Sequence, residues 1–91
     1  MKINKQNKNS KEISVTYVDD DSININIFDN QILMEVVGAF DNNLKELERL
    51  TGSKIYFRGN SITIKGKKFE NERVKGAIEY LIDRFRSDKK I

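Results

Sequence analysis

The side chains with the clearest chemical potential in this chain are basic and lie in a predicted β-hairpin. Lys54 and Arg58 lie in its first strand and Lys65 lies in its second. Tyr56 shares the side of Arg58. Cationic side chains bind phosphate and an aromatic ring stacks on a base, so this combination favours contact with a nucleic-acid backbone. The alternative interpretation is an ordinary solvated sheet face.

The sequence lacks the residue patterns that are typical of catalytic or metal sites. It contains no Cys and no His, which excludes disulfides, thiolate nucleophiles, imidazole bases and Cys or His metal sites. The acidic pairs Glu46 with Glu48 and Glu70 with Glu72 have a spacing that does not share a helical face. The acidic run at 19–21 lacks the pattern of a calcium loop and predicts a polar turn. We therefore expect no enzymatic site, no metal and no cofactor in this chain.

The charge is distributed unevenly along the 91 residues, although the net charge is only +3. Residues 1–12 carry four lysines and one glutamate and predict a disordered basic tail. Residues 13–48 contain eight acidic residues and one basic residue, whereas 54–75 contain seven basic and two acidic residues. Only the second half of the chain therefore has the charge of a nucleic-acid binder.

The length predicts one domain, which we place at 13–87, followed by a C-terminal tail at 88–91. No apolar run reaches the roughly 18–20 residues of a membrane span, and the N-terminus has no signal-peptide pattern. We expect a cytoplasmic protein without a membrane partner.

The hydrophobic periodicity predicts an α+β fold with an antiparallel sheet and helices on one face. Gly59-Asn60 is a two-residue hairpin turn. In chain order the expected elements are strands at 13–17 and 23–27, a helix capped by Asp29 or Asn30 that ends at Gly38, a helix at about 42–50, strands at 54–58 and 61–65, and a helix at about 70–86.

Without the first strand, the predicted order β-α-α-β-β-α is that of the type I KH domain. The stretch from Gly38 to Ile55, with an opening Gly, a helix and then Thr-Gly-x-Lys-Ile, resembles that family. In KH domains a G-x-x-G loop between the first two helices clamps nucleic-acid backbone. The matching loop here is Gly38-Ala39-Phe40-Asp41, in which Asp41 replaces the second Gly.

A subfamily matches better over about residues 28–86. The helix start D-x-N-L at 41–44 and the hairpin R-G-N-x-I-T-I-x-G at 58–66 resemble the N-terminal KH-like domain of PhoH-like, phosphate-starvation-inducible P-loop ATPases. This chain has no G-x-x-x-x-G-K-[ST] motif, so ATP and Mg²⁺ belong to an ATPase domain absent from it. The resemblance implies that this ATPase domain is a partner in cis, and that the chain is either a cut-out domain or a stand-alone relative.

The resemblance implies a nucleic-acid site formed by the loop, the following helix and the hairpin. Asp41 would repel phosphate, and its alternative role is an N-cap that accepts hydrogen bonds from the next turn. The residues expected to line one groove are Gly38, Ala39, Phe40, Asp41, Lys45, Lys54, Arg58 and Lys65.

The expected function is a non-catalytic module that binds single-stranded RNA. The alternative is a protein-interaction or assembly module, homo-oligomers included, whose degenerate KH loop binds no RNA. Asp41 and the acidic first half of the chain favour the alternative. RNA binding should weaken steeply with salt, whereas docking should not.

Overall fold

Four strands and three helices make up the computed structural model, which describes residues 13–89. In chain order they are β1 (Ile13–Asp19), β2 (Ser22–Ile27), α1 (Asn30–Val37), α2 (Asn42–Thr51), β3 (Lys54–Arg58), β4 (Ser61–Lys65) and α3 (Lys68–Lys89), with a 3₁₀ turn at Ala39–Asp41. The predicted tail 1–12 and residues 90–91 lie outside the described residues. Within them, no helix has the length and apolar character to cross a membrane.

The strands form one antiparallel sheet in the order β1-β2-β4-β3. β4 therefore lies between its hairpin partner β3 and the distant strand β2. Ile23 is opposite Ile64 and Ile25 is opposite Ile62, and all four side chains are buried. Because alternate residues of a strand point to opposite faces, these isoleucines form one apolar face.

The helices cover this apolar face and close the core. Val36 of α1, Leu44 of α2 and Ile78 of α3 are buried in the same cluster as the sheet isoleucines. No described element covers the opposite face, which we call the open face. Its residues on the edge strand β3 are exposed, in contrast to the half-buried Ile55 and Phe57 between them.

The α+β class and the antiparallel sheet predicted from the sequence are confirmed, and both strands of the 54–65 hairpin have the predicted bounds. Asp29 caps α1 as expected, since its Oδ1 accepts from the N–H groups of Gln31 (2.8 Å) and Ile32 (3.1 Å). The predicted end of α3 at Arg86 is wrong, because the helix continues to Lys89. The segment 83–89 contains neither Gly nor Pro to end the helix.

A buried asparagine joins segments that are far apart in the sequence. The side chain of Asn71 in α3 is 1% exposed. Its Nδ2 donates to the carbonyl oxygens of Asp21 (2.8 Å) and Gly66 (3.1 Å), and its Oδ1 accepts from Ser53 Oγ (2.7 Å). The N–H of Gly66 also donates to Asp21 O (3.1 Å). The β1–β2 turn, the α2–β3 link and the β4–α3 link are thereby held at one point, which we call the Asn71 node.

Loss of the Asn71 amide should destabilise the fold strongly. In Asn71→Ala, the Gly66 carbonyl and the Ser53 hydroxyl lose the hydrogen bonds from Asn71, and the Asp21 carbonyl keeps only the N–H of Gly66, so we expect the free energy of unfolding to fall by about 2–4 kcal/mol. Urea denaturation measures the change. The matched control is Asn42→Ala at an exposed position, which should shift stability by about 0.5 kcal/mol or less. Equal effects of the two substitutions would show that the node is not a stabilising element.

Candidate nucleic-acid interface

The β3–β4 hairpin places a column of basic residues on the open face. Lys54 and Arg58 are two residues before and after Tyr56 on β3, and Lys65 is the cross-strand partner of Lys54. All four side chains are exposed. The expectation that Arg58 and Lys65 point away from the apolar face is confirmed. We call these four residues the basic column.

Within residues 13–89, the cations of the basic column have no acidic partner. Among the described residues, no carboxylate lies within ion-pair distance of Lys54, Arg58 or Lys65. Two cations on the helices are paired, Arg49 with Glu46 and Lys75 with Glu72 and Glu79. The column is therefore positive charge available to a ligand.

A shallow, open depression lies at one end of the basic column. It is lined by Asp21, Tyr56, Lys65, Gly66 and Lys67. The carboxylate of Asp21 is the acidic group at this edge, while its backbone carbonyl belongs to the Asn71 node. The depression is too open to enclose a small molecule, but it extends the basic surface around Tyr56.

The loop between α1 and α2 holds the other predicted residues. Gly38 has φ +79°, and Ala39–Asp41 forms the 3₁₀ turn. A Cβ at Gly38 would lie 2.8 Å from the side chain of Asn43. That side chain crosses the loop and donates from Nδ2 to Glu35 O at 3.1 Å, which satisfies a carbonyl at the end of α1. Both the positive φ and the close approach therefore require glycine at position 38.

The side chain of Asp41 does not cap α2, which was its alternative predicted role. It stands at the N-cap position of α2, but its carboxylate accepts no capping hydrogen bond. The cause is its backbone, which has φ +61° and ψ +22°, whereas a capping residue needs an extended conformation like that of Asp29. Position 41, where G-x-x-G has its second glycine, thus adopts a conformation that glycine accepts without strain.

Lys45 lies on the side of α2 that faces the edge of β3. The carboxylate of Glu48, three residues further along, accepts from the N–H of Ile55 at 2.7 Å. Residues three apart share a helical face, so Lys45 lies on the Glu48 side of the helix. Glu48 satisfies one of the outward N–H groups of this edge strand, a role that no local pattern in the sequence indicated.

The eight predicted residues fall into two groups on different surfaces. Gly38, Ala39, Asp41 and Lys45 lie in the helical layer, and Lys54, Arg58 and Lys65 lie on the open face. The backbone of Phe40 belongs to the 3₁₀ turn, but its side chain is outside what the structure describes. The separation follows from strand alternation, which directs Lys54 and Arg58 away from the helices.

Polar residues of the open face were not predicted as part of the site. Asn24 and Asn26 of β2 and Ser61 and Thr63 of β4 lie beside the basic column and hydrogen-bond to one another. The signal was present, because these residues alternate with buried isoleucines. Their common face became evident only from the β2–β4 pairing.

Comparison of the chain with protein-family models, curated proteins and solved structures finds no match in any of the three. Within the described residues there is also no group of three or more His, Cys, Asp or Glu side chains placed to hold a metal ion. The site therefore rests on its own geometry.

A cluster of charged residues between β1 and α3 has a structural role. Lys75 Nζ lies 3.5 Å from Glu79 and 3.9 Å from Glu72, and 6.0 Å from the centre of the Tyr17 ring. Burial raises the pKa of the Tyr17 hydroxyl, and its hydrogen bond to Glu72 and the charges of Glu72 and Glu79 raise that pKa further. The cluster joins α3 to the edge strand β1.

Ionisation of Tyr17 should destabilise the fold at high pH. Its pKa is higher in the folded chain than in the unfolded chain, so its contribution is complete below about pH 10 and is lost as the pH rises above that value. We expect Tyr17→Phe to lose less stability than the wild type above this pH in denaturation series. Tyr80→Phe, at an exposed position on α3, is the control and should follow the wild type. If the wild type, Tyr17→Phe and Tyr80→Phe lost the same amount of stability above pH 10, ionisation of Tyr17 would not be coupled to unfolding.

The left-handed backbone at Asp41 predicts an unusual order of stabilities. Because Ala has neither the freedom of Gly nor a polar side chain, Asp41→Gly should be more stable than Asp41→Ala by about 1 kcal/mol. Thermal or urea unfolding of the two variants measures the difference. Ala at least as stable as Gly would show that position 41 has another conformation in solution.

Proposed function

We propose that this chain is a non-catalytic module that binds single-stranded nucleic acid, with RNA as its first expected ligand. In this role it resembles the KH-like N-terminal domain of PhoH-like proteins and would present RNA to a P-loop ATPase domain in the same protein. ATP and Mg²⁺ would be bound by that domain. After β1, the order of elements is β-α-α-β-β-α, which supports the KH-type interpretation.

The observation that carries the proposal is the unpaired basic column on the open face. Three cations flank an exposed aromatic ring, and no described element covers them. A polyanion gains from each of these charges without first displacing a protein carboxylate. An aromatic ring among them adds stacking on a base, which a simple charge patch lacks.

The loop gives secondary support. Positive φ at both Gly38 and Asp41 matches the positions of the two glycines in a G-x-x-G loop. The Asp41 carboxylate still opposes phosphate at the start of α2. The loop is therefore a weaker anion site than the basic column.

A second candidate function is protein docking. The helical layer carries the acidic residues Glu35 and Asp41, and the exposed side chain of Met34 lines a shallow groove between α1 and α3. Such a surface suits a protein partner better than a nucleic acid, because its charge repels phosphate.

Binding to labelled single-stranded RNA, measured by fluorescence anisotropy at two salt concentrations, tests the proposal. The chain should carry the substitutions Lys2→Gln, Lys5→Gln, Lys8→Gln and Lys11→Gln, so that lysines of the tail do not contribute to binding. We expect an affinity that falls with salt by a log–log slope of about −0.7 for each phosphate neutralised. Arg58→Ala should weaken binding and reduce the slope by about one such increment, because one phosphate contact is lost.

Arg84→Ala is the matched control, since it removes the same charge from α3 on the opposite side of the molecule. It should leave the affinity and the salt slope nearly unchanged. No salt-dependent binding by the tail-neutralised chain would contradict the proposal. Self-association or salt-insensitive binding to an ATPase domain would then favour docking.

A further inference from the structure

Tyr56 is at the centre of the basic column and is 56% exposed. Lys54 and Arg58 lie on the same face two residues away on either side, and four residues of a strand span about 13 Å. A strand of nucleic acid that crosses the ring therefore passes one cation before it and another after it. Lys65, opposite Lys54, doubles the charge at one end.

Uncharged polar side chains continue from the basic column across the sheet. We call Thr63, Asn24, Ser61 and Asn26 the polar strip. Tyr56 is opposite Thr63 on β4, and Thr63 is opposite Asn24 on β2. With a strand separation of about 4.8 Å, the three residues form a row about 10 Å long. The neighbouring row continues from Arg58 through Ser61 to Asn26.

Hydrogen bonds fix the orientation of this strip. Asn24 Nδ2 donates to Ser61 Oγ (2.8 Å) and Thr63 Oγ1 (3.0 Å), and Asn24 Oδ1 accepts from Asn26 Nδ2 (3.0 Å). Because the two hydroxyls act as acceptors here, each keeps its proton to donate outward. Among the described residues, Asn26 keeps one N–H and its Oδ1 for an external partner. The strip thus presents preorganised donors and an acceptor to the open face.

We propose that the open face is a stacking platform for unpaired bases, in which one base stacks on Tyr56, the basic column binds the adjoining phosphates, and the strip contacts the polar edge of a neighbouring base. The proposal rests on the proposed function and assigns its single-stranded ligand to the open face, with Tyr56 as the stacking residue. Bases paired inside a duplex do not offer their faces to Tyr56.

An acidic peptide is the competing ligand, because the cations alone would bind it. The exposed ring and the donor-acceptor strip favour nucleic acid, since a base offers both a π face and a polar edge. A peptide of acidic side chains would use the cations and leave the ring without a stacking partner.

The test is anisotropy with a fluorescein-labelled oligouridine of about ten nucleotides, using the full chain with its four tail lysines replaced by glutamine. Tyr56→Ala should weaken binding about ten-fold, and Tyr56→Phe should bind like the wild type because the ring is kept. Tyr80→Ala removes an equally exposed tyrosine (60%) from α3 and should have no effect.

Two further variants test the strip and the stacking separately. Asn26→Ala should weaken binding about three-fold through the loss of one neutral hydrogen bond, and Asn42→Ala on α2 should not. Tyr56→Trp introduces the chain's only tryptophan. Its fluorescence should be quenched on addition of oligouridine, which reports stacking directly.

The outcomes separate this inference from the proposed function. Salt-dependent binding by the wild type with equal affinities for Tyr56→Ala and Tyr80→Ala would overturn the platform and leave the proposed function standing. No binding by the wild type would overturn both. Equal affinity for an RNA duplex, or displacement of the oligouridine by polyglutamate at equal charge concentration, would also overturn the platform.

Discussion

The hydrogen bonds of Asn71 connect both hairpins of this protein to α3. Lys54 follows Ser53 directly, and Lys65 precedes Gly66, so two cations of the basic column are adjacent in sequence to members of the Asn71 node. A buried amide is stable only when its donors and acceptor are satisfied, and this condition admits one arrangement of the segments it joins. The node thereby couples the stability of the fold to the position of the candidate site.

The sheet divides the molecule into two surfaces with different chemistry. On one face, isoleucines of β2 and β4 are covered by three helices; on the other, the same strands present amide, hydroxyl and basic groups. The charge near the α1–α2 loop differs from that of the open face. Glu35, Asp41 and Glu46 lie in the helical layer, whereas the basic column occupies the open face. A polyanion is therefore steered to the sheet rather than to the loop.

Glu48 connects this arrangement to the edge of the sheet. An edge strand with free N–H groups is a template for pairing with another chain. By accepting the outward N–H of Ile55, the Glu48 carboxylate removes one such group and places a negative charge beside the edge. Strand addition at β3 is thereby opposed, while the open face of the same strand stays accessible.

The sequence by itself determined the elements whose signals are local. The alternation at Ile23, Ile25, Ile62 and Ile64 predicted strands, Gly59-Asn60 predicted the hairpin turn, and Asp29 predicted a cap, because each depends on residues a few positions apart. The side of the sheet on which Arg58 and Lys65 lie was predictable for the same reason. The KH-type function and its PhoH-like context stay predictions.

Only the tertiary structure decided what depends on contacts between distant segments. The position of β4 between β2 and β3 brings the polar residues of the open face together. The side chain of Asn71 is buried and hydrogen-bonds to three separate segments. The carboxylate of Glu48 accepts a hydrogen bond from the N–H of Ile55 on the edge strand. The left-handed backbone of Asp41, between α1 and α2, likewise leaves its carboxylate without the capping hydrogen bonds that Asp commonly accepts. The physical reason is that hydrophobic periodicity specifies which face of an element is buried, but not which partner covers that face or satisfies its polar groups.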